Sequence, residues 1–381
     1  MLKRILSGVL ALLMVLSMAA CNTPEDNNTP AESTEPTKET AVYAQQNYKL
    51  HEVTDQIKFL GRTGVVGNGI TCDQTASGIE IEAYIQGEFS FTANCSEDTY
   101  FTVFVDGIRL EQRFEAKGNF KDRKSVVGDL GEMALHNIRI IKQTEANHSV
   151  ATLKNIEFYG FLASKPKDKD LYIEFIGDSI TCGYGNLWTK ASPDPSDKSG
   201  TALYQDGTQG YAFLTAQLLR ADVSIISCSG IGIDKGYTNQ DGNGYRMADF
   251  YAAASYPRTK TEKFDFAKAR VPDLVVINLG TNDQSIGSAE ADFKSGVKDL
   301  ISFIRTSYGK DVPIIWVYGM MADGRYQWVK SVMDEMGGQS KGLYMVELIK
   351  NKEGGNGHPS ATAHNIASQQ LTGFITGNVL K

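Results

Sequence analysis

The sequence predicts an all-β domain followed by an α/β domain built on a five-stranded parallel sheet. Two observations carry this. Between about 50 and 162, apolar and polar residues alternate with a period of two in many short runs separated by turn residues, the pattern of half-buried strands in a sandwich or jelly roll. After 170, apolar β-branched runs alternate with helix-like stretches, the pattern of a parallel sheet covered on both faces.

The chain opens on Lys3 and Arg4, an apolar run from Ile5 to Met18, then Ala19, Ala20 and Cys21. A basic start, a short apolar segment and small residues make an export signal, and the run is too short to span a membrane. Met18-Ala19-Ala20-Cys21 resembles a bacterial lipobox, which implies lipidation of Cys21 and a protein exported and anchored at the bacterial cell surface; an ordinary signal peptide cut nearby is the plainer alternative. Residues 22–48 are rich in Asn, Thr, Pro and Glu and cannot bury enough apolar surface to offset chain entropy, so they are expected to form a disordered tether.

The all-β domain is placed at 49–164. Ile79, Ile81, Ala83 and Ile85 alternate with Glu80, Glu82, Tyr84 and Gln86, and Asp106-Gly107 marks a tight turn directly after the run Tyr100–Val105. Late strands are expected at 138–141 and 153–158. Lys165 to Asp170 is a polar joint, and the α/β domain is placed at 170–381. Its strands are expected at roughly 171–176, 223–227, 273–278, 312–317 and 343–347, with helices near 210–220, 289–306, 325–336 and 360–372.

The 381 residues carry a net charge of −7 with 41% hydrophobic and 22% charged side chains. No spare positive charge is available to neutralise phosphates, which argues against a nucleic-acid partner. No later segment is apolar enough to span a bilayer, so contact with a membrane is expected only through Cys21. With Cys21 removed, Cys72, Cys95, Cys182 and Cys228 remain. In an exported protein they are either two disulfides or four buried thiols; no CxxC spacing points to zinc.

Ser179 lies in Ile173-Glu174-Phe175-Ile176-Gly177-Asp178-Ser179-Ile180-Thr181, where an apolar run breaks into Gly-Asp-Ser. A serine at the end of a buried strand stands where open α/β sheets hold their ligands, and it becomes a nucleophile if a base and an oxyanion site converge on it. Three further motifs follow predicted strand ends or precede the last helix. Gly230, in Ser227-Cys228-Ser229-Gly230, can present a bare backbone N–H. Gly280-Thr281-Asn282-Asp283 combines a sharp turn with an amide donor. His358, in Gly355-Asn356-Gly357-His358-Pro359, is a candidate base.

In this order the four motifs resemble the blocks of the SGNH (GDSL-like) hydrolase superfamily, over residues 171–381. The resemblance implies a flavodoxin-like three-layer domain. A narrower one extends over roughly 50–375, through Phe59-Leu60-Gly61-Arg62, Val103–Gly107, His136–Glu145 and Ile173–Gly185, to carbohydrate esterase family 2, whose members carry a jelly roll ahead of an SGNH domain. It implies a serine acetylesterase acting on acetylated poly- or oligosaccharides of plants, without metal or organic cofactor. Ser179 would attack, His358 would move the proton, and the Ser179 N–H, the Gly230 N–H and the Asn282 amide would hold the oxyanion. Asp178, Gly280 and Asp283 would support these loops. Trp188 and Tyr184, in the loop after the first parallel strand, are candidate sugar contacts, as are Tyr204 and Tyr237.

One position departs from the superfamily. An Asp usually stands three residues before the histidine; here that residue is Gly355, which implies a Ser-His dyad with a main-chain carbonyl holding the imidazole, unless Glu353 turns inward. His364 and His136 read as structural. Gly338-Gln339-Ser340-Lys341-Gly342 matches GxSxG but precedes a strand instead of following one, so Ser340 is not expected to be a nucleophile. Two rivals remain: the same machinery acting on an acyl lipid or a bacterial wall glycan, and a catalytically weak glycan-binding protein.

Overall fold

A computed structural model describes residues 43–192, 201–240, 244–254, 263–309 and 311–380. The signal-like segment, Cys21 and the tether up to residue 42 lie outside the described residues.

Ten antiparallel strands come first: β1 (Gln45–Lys49), β2 (Lys58–Leu60), β3 (Gly64–Val66), β4 (Gly69–Thr71), β5 (Gly78–Cys95), β6 (Thr99–Val105), β7 (Ile108–Ala116), β8 (Asp122–Asp129), β9 (Ala134–Lys142) and β10 (Ala151–Leu162). Together they form a β-sandwich around an apolar core. Strand β5 organises it, pairing with β2 and β10 along one edge and with β9 and β8 along the other. Its inward residues Ile79, Ile81, Ala83, Ile85, Phe89 and Phe91 are buried, as the alternation demands. Asp106 and Gly107 join β6 to β7 with φ of 51° and 82°, the doubly left-handed backbone of a two-residue hairpin. The tether expected over 22–48 ends sooner than its composition suggests: Gln45–Lys49 pair with β10, and Tyr48 stacks on Phe158 at 5.4 Å. One aromatic ring and a free strand edge outweigh the polar neighbours.

The second sheet is parallel: β11 (Tyr172–Gly177), β12 (Asp222–Ser227), β13 (Leu274–Asn278), β14 (Ile314–Gly319) and β15 (Leu343–Leu348), in the spatial order β12-β11-β13-β14-β15. This is the flavodoxin-like order, in which the chain reverses direction beside the first strand and leaves a crevice at the strands' C-terminal ends. Helices α1 (Ser179–Cys182), α2 (Tyr211–Leu218), α3 (Met247–Tyr251), α4 (Thr281–Ile286), α5 (Glu290–Tyr308), α6 (Tyr326–Glu335) and α7 (Ala361–Asn378) complete the fold. Ile173, Phe175, Leu274, Val276, Ile315 and Val317 point to α2 and α7, whereas Ile176, Val275, Ile277, Ile314 and Trp316 point to α3, α5 and α6. Every residue of β13 and β14, and every residue of β11 after Tyr172, is thus buried, which is why these strands read as continuous apolar runs.

The sandwich and the three-layer fold belong to one compact unit. Phe104 of β6 packs on Phe213 of α2 at 5.9 Å, Arg109 of β7 donates to Asp206 at 2.7 Å, and Lys58 of β2 donates to Asp222 at 2.7 Å. Among the described residues no helix is long and apolar enough to cross a membrane.

Candidate active site

Ser179 owes its position to its two predecessors. A Cβ on Gly177 would lie 2.0 Å from Thr181 Oγ1, so only glycine lets α1 turn back over the end of β11. Asp178 is the N-cap of α1, its carboxylate accepting from the Ile180 N–H at 3.0 Å. Burial pushes the Asp178 carboxyl up to about 7, assisted by the nearby Asp283 carboxylate. Ser179 then begins the helical turn and is 7% exposed.

His358 reaches it from the far end of the chain. Its Nε2 lies 2.8 Å from Ser179 Oγ and its Nδ1 lies 3.1 Å from the Gly355 carbonyl oxygen. With the proton on Nδ1 donated to that carbonyl, Nε2 offers its lone pair to the serine hydroxyl. A main-chain carbonyl therefore fixes the tautomer at the place where an Asp is usual. The glycine-rich turn is laddered onto the loop after α1 by Gly355 N–H donating to Gly185 O at 2.9 Å, and closed on itself by Gly354 N–H donating to His358 O at 2.8 Å. Tyr184 packs its ring 4.5 Å from the imidazole and accepts from Asn356 Nδ2 at 3.2 Å. Burial lowers the His358 pKa to about 4, keeping the imidazole neutral. Glu353 is exposed and accepts from Asn351 Nδ2 at 3.0 Å, outside the chain from Ser179 to Gly355.

The candidate oxyanion groups follow the ends of β11, β12 and β13, which are in register: Gly177 pairs with both Ser227 and Asn278. Among the described residues neither the Ser179 N–H nor the Gly230 N–H meets a protein acceptor. Gly230 adopts φ 80°, where a side chain is disfavoured. Asn282 is the second residue of α4, whose N-cap is Gly280 at φ 120°, and its Nδ2 donates to Ile231 O at 2.8 Å and, at the long limit, to Asp178 Oδ2 at 3.4 Å. Asp283 does not face the serine: its carboxylate accepts from the N–H groups of Ile233, Asp234 and Lys235 at 2.8–3.0 Å, tying the loop after β12 to α4.

Other candidates fall elsewhere. Trp188 is 8% exposed and so offers little ring face to a ligand. Tyr204 is likewise buried, whereas Tyr237, beside Gly230, is 57% exposed. His364 is buried against Tyr211 and accepts from its N–H at 3.1 Å. His136 pairs with Asp106 at 2.8 Å, and Ser340 bonds Gly337 O in an exposed turn. Among the described residues Cys72, Cys95, Cys182 and Cys228 are buried free thiols, the second of the two alternatives their count left open. Among the described residues no group of three or more His, Cys, Asp or Glu is arranged to hold a metal ion.

One buried group next to the site was given no role by its sequence. Glu145, three residues past β9, accepts from the Ser229 N–H at 2.6 Å and from the Ser229 hydroxyl at 2.5 Å. Glu145 ends the His136–Glu145 stretch of the family resemblance, but nothing in that stretch points to Ser229; the contact exists only once the two sheets are packed.

Residues 173–371 match the family described as GDSL-like lipase/acylhydrolase. The cellulase/esterase CelE of Acetivibrio thermocellus is 33% identical over 331 residues, 81% of this chain and 38% of that protein, so the chain spans well under half of its length. An acetylxylan esterase/glucomannan deacetylase of Cellvibrio japonicus is 28% identical over 257 residues, covering 62% of this chain and 68% of the relative. A family two carbohydrate esterase from Clostridium thermocellum, solved in complex with cellohexaose, superimposes with a TM-score of 0.75 at 30% identity, over 84% of this chain and 98% of that one. The Gly-Asp-Ser strand end, the sandwich ahead of it and these likenesses agree, and the chain belongs to the GDSL-like hydrolases and, among them, to the family two carbohydrate esterases.

Proposed function

We propose that this protein is an O-acetylesterase that removes acetyl groups from plant polysaccharides or their oligosaccharides. The observation that carries the reading is the relay from Ser179 Oγ through the His358 imidazole to the Gly355 carbonyl. Its relatives' named activities, on acetylated xylan and glucomannan, supply the substrate class. Ser179 Oγ attacks the acetyl carbonyl while His358 Nε2 takes its proton. The tetrahedral oxyanion rests on the Ser179 N–H, the Gly230 N–H and the Asn282 amide. Collapse breaks the bond to the sugar oxygen, which leaves with the proton from His358. Water, deprotonated by the same imidazole, then releases acetate and restores Ser179. The exposed Tyr237 ring beside Gly230 favours a sugar over an acyl chain. Acetate release from acetylated xylan and acetylated glucomannan tests the reading; cleavage of an aryl acetate with neither glycan attacked would transfer the machinery to an acyl lipid or a wall glycan.

The signal-like start supports export, with a lipid on Cys21 holding the protein at the cell surface. In a bacterial host, Cys21→Ser should release the protein into the medium or leave it unprocessed and free of incorporated palmitate analogue. Equal labelling of both forms would remove the anchor from the proposal.

The burial of His358 makes a pH prediction. Only the neutral imidazole accepts the serine proton, so kcat/KM rises as pH climbs through the imidazole pKa. With that value near 4, the acid limb for a soluble aryl acetate should lie near pH 4 and not at the ordinary histidine value of about 6.5. It should stay there in Asp178→Asn, which removes the buried carboxyl next to Ser179 whose pKa lies near 7. A limb near 6.5 would mean that His358 is solvated in the working enzyme.

The ladder that holds His358 makes another. A Cβ on Gly185, at φ 63°, would lie 2.9 Å from Gly355 Cα and O. Gly185→Ala should push back the carbonyl that holds the imidazole and lower kcat by roughly tenfold to a hundredfold, since displacements of about an ångström cost that much. Gly107→Ala carries the same backbone penalty at φ 82° with nothing within 4 Å, and should cost stability alone. Equal kcat for the two variants would count against the ladder.

A further inference from the structure

The β-sandwich does more than pack against the parallel sheet. The segment Gln143-Thr144-Glu145 leaves β9 and is wholly buried. Lys142, itself buried, pins it by donating to the carbonyls of Asp73, Thr144 and Glu145 at 3.0, 2.7 and 3.1 Å. Gln205 Oε1 accepts from the Glu145 N–H, and Gln205 Nε2 donates to Glu145 Oε1, both at 3.4 Å. The carboxylate so presented takes Ser229 by two hands, Oε2 accepting from its backbone N–H at 2.6 Å and Oε1 from its hydroxyl at 2.5 Å. Cys182, the last residue of α1, directs its thiol to the same carboxylate at 3.5 Å.

Ser229 immediately precedes Gly230. The stretch is held on one side by Cys228 N–H donating to Gly177 O at 3.2 Å, and on the other by Ile231 O accepting from Asn282. Between these two fixed points lies a glycine at φ 80°, with no side chain to set its own orientation. Bonding both the N–H and the hydroxyl of Ser229 fixes the Cys228–Ser229 peptide and the Ser229 side chain, and so the residue from which the Gly230 N–H is directed, while Ile231 N–H donates back to Cys228 O at 3.3 Å and closes the turn. A charged acceptor is suited to this, because hydrogen bonds to an ionised group are shorter and stronger than neutral ones.

We infer that Glu145 of the β-sandwich is a positioning residue for the oxyanion site, aiming the Gly230 N–H by clamping Ser229. The inference rests on the proposed role of Gly230. It makes the sandwich part of the catalytic assembly: the α/β fold supplies nucleophile and base, and the sandwich sets one oxyanion donor. The same clamp would also hold the two sheets together, so the test must read something that stability does not move.

Glu145→Gln keeps the volume but puts an NH2 against one of the two Ser229 donors. It should lower kcat for an aryl acetate by roughly ten- to a hundredfold with KM within about twofold, as expected for an interaction made in the transition state. Affinity for phenylboronic acid, which adds to Ser179 as a tetrahedral anion, should fall by a similar factor. Ser229→Ala removes the hydroxyl hand alone and should lose boronate affinity in the same direction, by severalfold; it decides the matter if Glu145→Gln does not fold. In the double variant the two losses should not multiply. Unchanged boronate affinity and kcat in folded Glu145→Gln, or in Ser229→Ala where the first does not fold, would overturn the inference. Asn282→Ala is the reference: if it lowers boronate affinity while the clamp variants do not, only the role of Glu145 fails, and if it too has no effect, the oxyanion reading itself fails.

Discussion

Ser179→Ala should abolish acetate release from acetylated glycans and from aryl acetates, lowering kcat by about 10⁴-fold or more, as loss of the nucleophile does in serine hydrolases. The protein should remain folded. The Ser179 hydroxyl has one side-chain partner, His358 at 2.8 Å, so the substitution forfeits a single hydrogen bond worth roughly 1 kcal/mol. Its backbone N–H, which alanine retains, is one of the proposed oxyanion donors. His358→Ala should cost a similar factor, and the double variant no more than either single one, because nucleophile and base act as a unit. His364 cannot take over as base: its Nδ1 already accepts from the Tyr211 N–H, and burial lowers its pKa to about 3. Residual activity above about 1% in Ser179→Ala, against that expectation, would put the nucleophile elsewhere. Binding of acetylated glycan with no turnover by the wild type would favour the catalytically weak binding protein.

The parts of this site legible from sequence are those that strand ends dictate. An apolar run that breaks into Gly-Asp-Ser must leave the sheet there, because Asp178 can only be buried as the cap of a new helix. Gly230 and Gly280 mark equivalent breaks one strand to either side, and both have positive φ. The absence of an Asp at Gly355 was equally legible, since the dyad needs only a carbonyl at that place, and every residue carries one. What escaped has a common cause in tertiary contact. Glu145 meets Ser229 across 84 residues and two sheets. Strand β1 is a polar segment until Phe158 is there to receive Tyr48. Helices α3 and α4 have five and six residues, too few for a 3.6-residue period to emerge. By sequence Trp188 is a candidate to meet a sugar because aromatic residues in long loops often do, yet the same loop folds inward and buries it.

Asn282→Ala should lower kcat by about 10²–10³-fold with little change in KM, the usual cost of one oxyanion donor. The amide is prepared for that work by an uneven pair of hydrogen bonds. One Nδ2 proton is firmly placed on Ile231 O at 2.8 Å, which locks the amide to the loop carrying Gly230. The other is aimed at Asp178 Oδ2 at 3.4 Å, a bond near the limit of usefulness. Burial weakens that competitor further: with its pKa near 7, Asp178 is charged for only part of the time at neutral pH. An oxyanion that gains charge as the bond forms is the better acceptor, so in the proposed mechanism the second proton is held in reserve for the transition state and not spent in the ground state. Asn282→Asp separates this account from simple packing. It preserves shape but replaces the donor with a carboxylate beside Asp178 and the oxyanion, and it should be at least as damaging as alanine. If aspartate instead retained most of the activity that alanine loses, the side chain would be filling space, and the oxyanion would rest on the two backbone N–H groups alone.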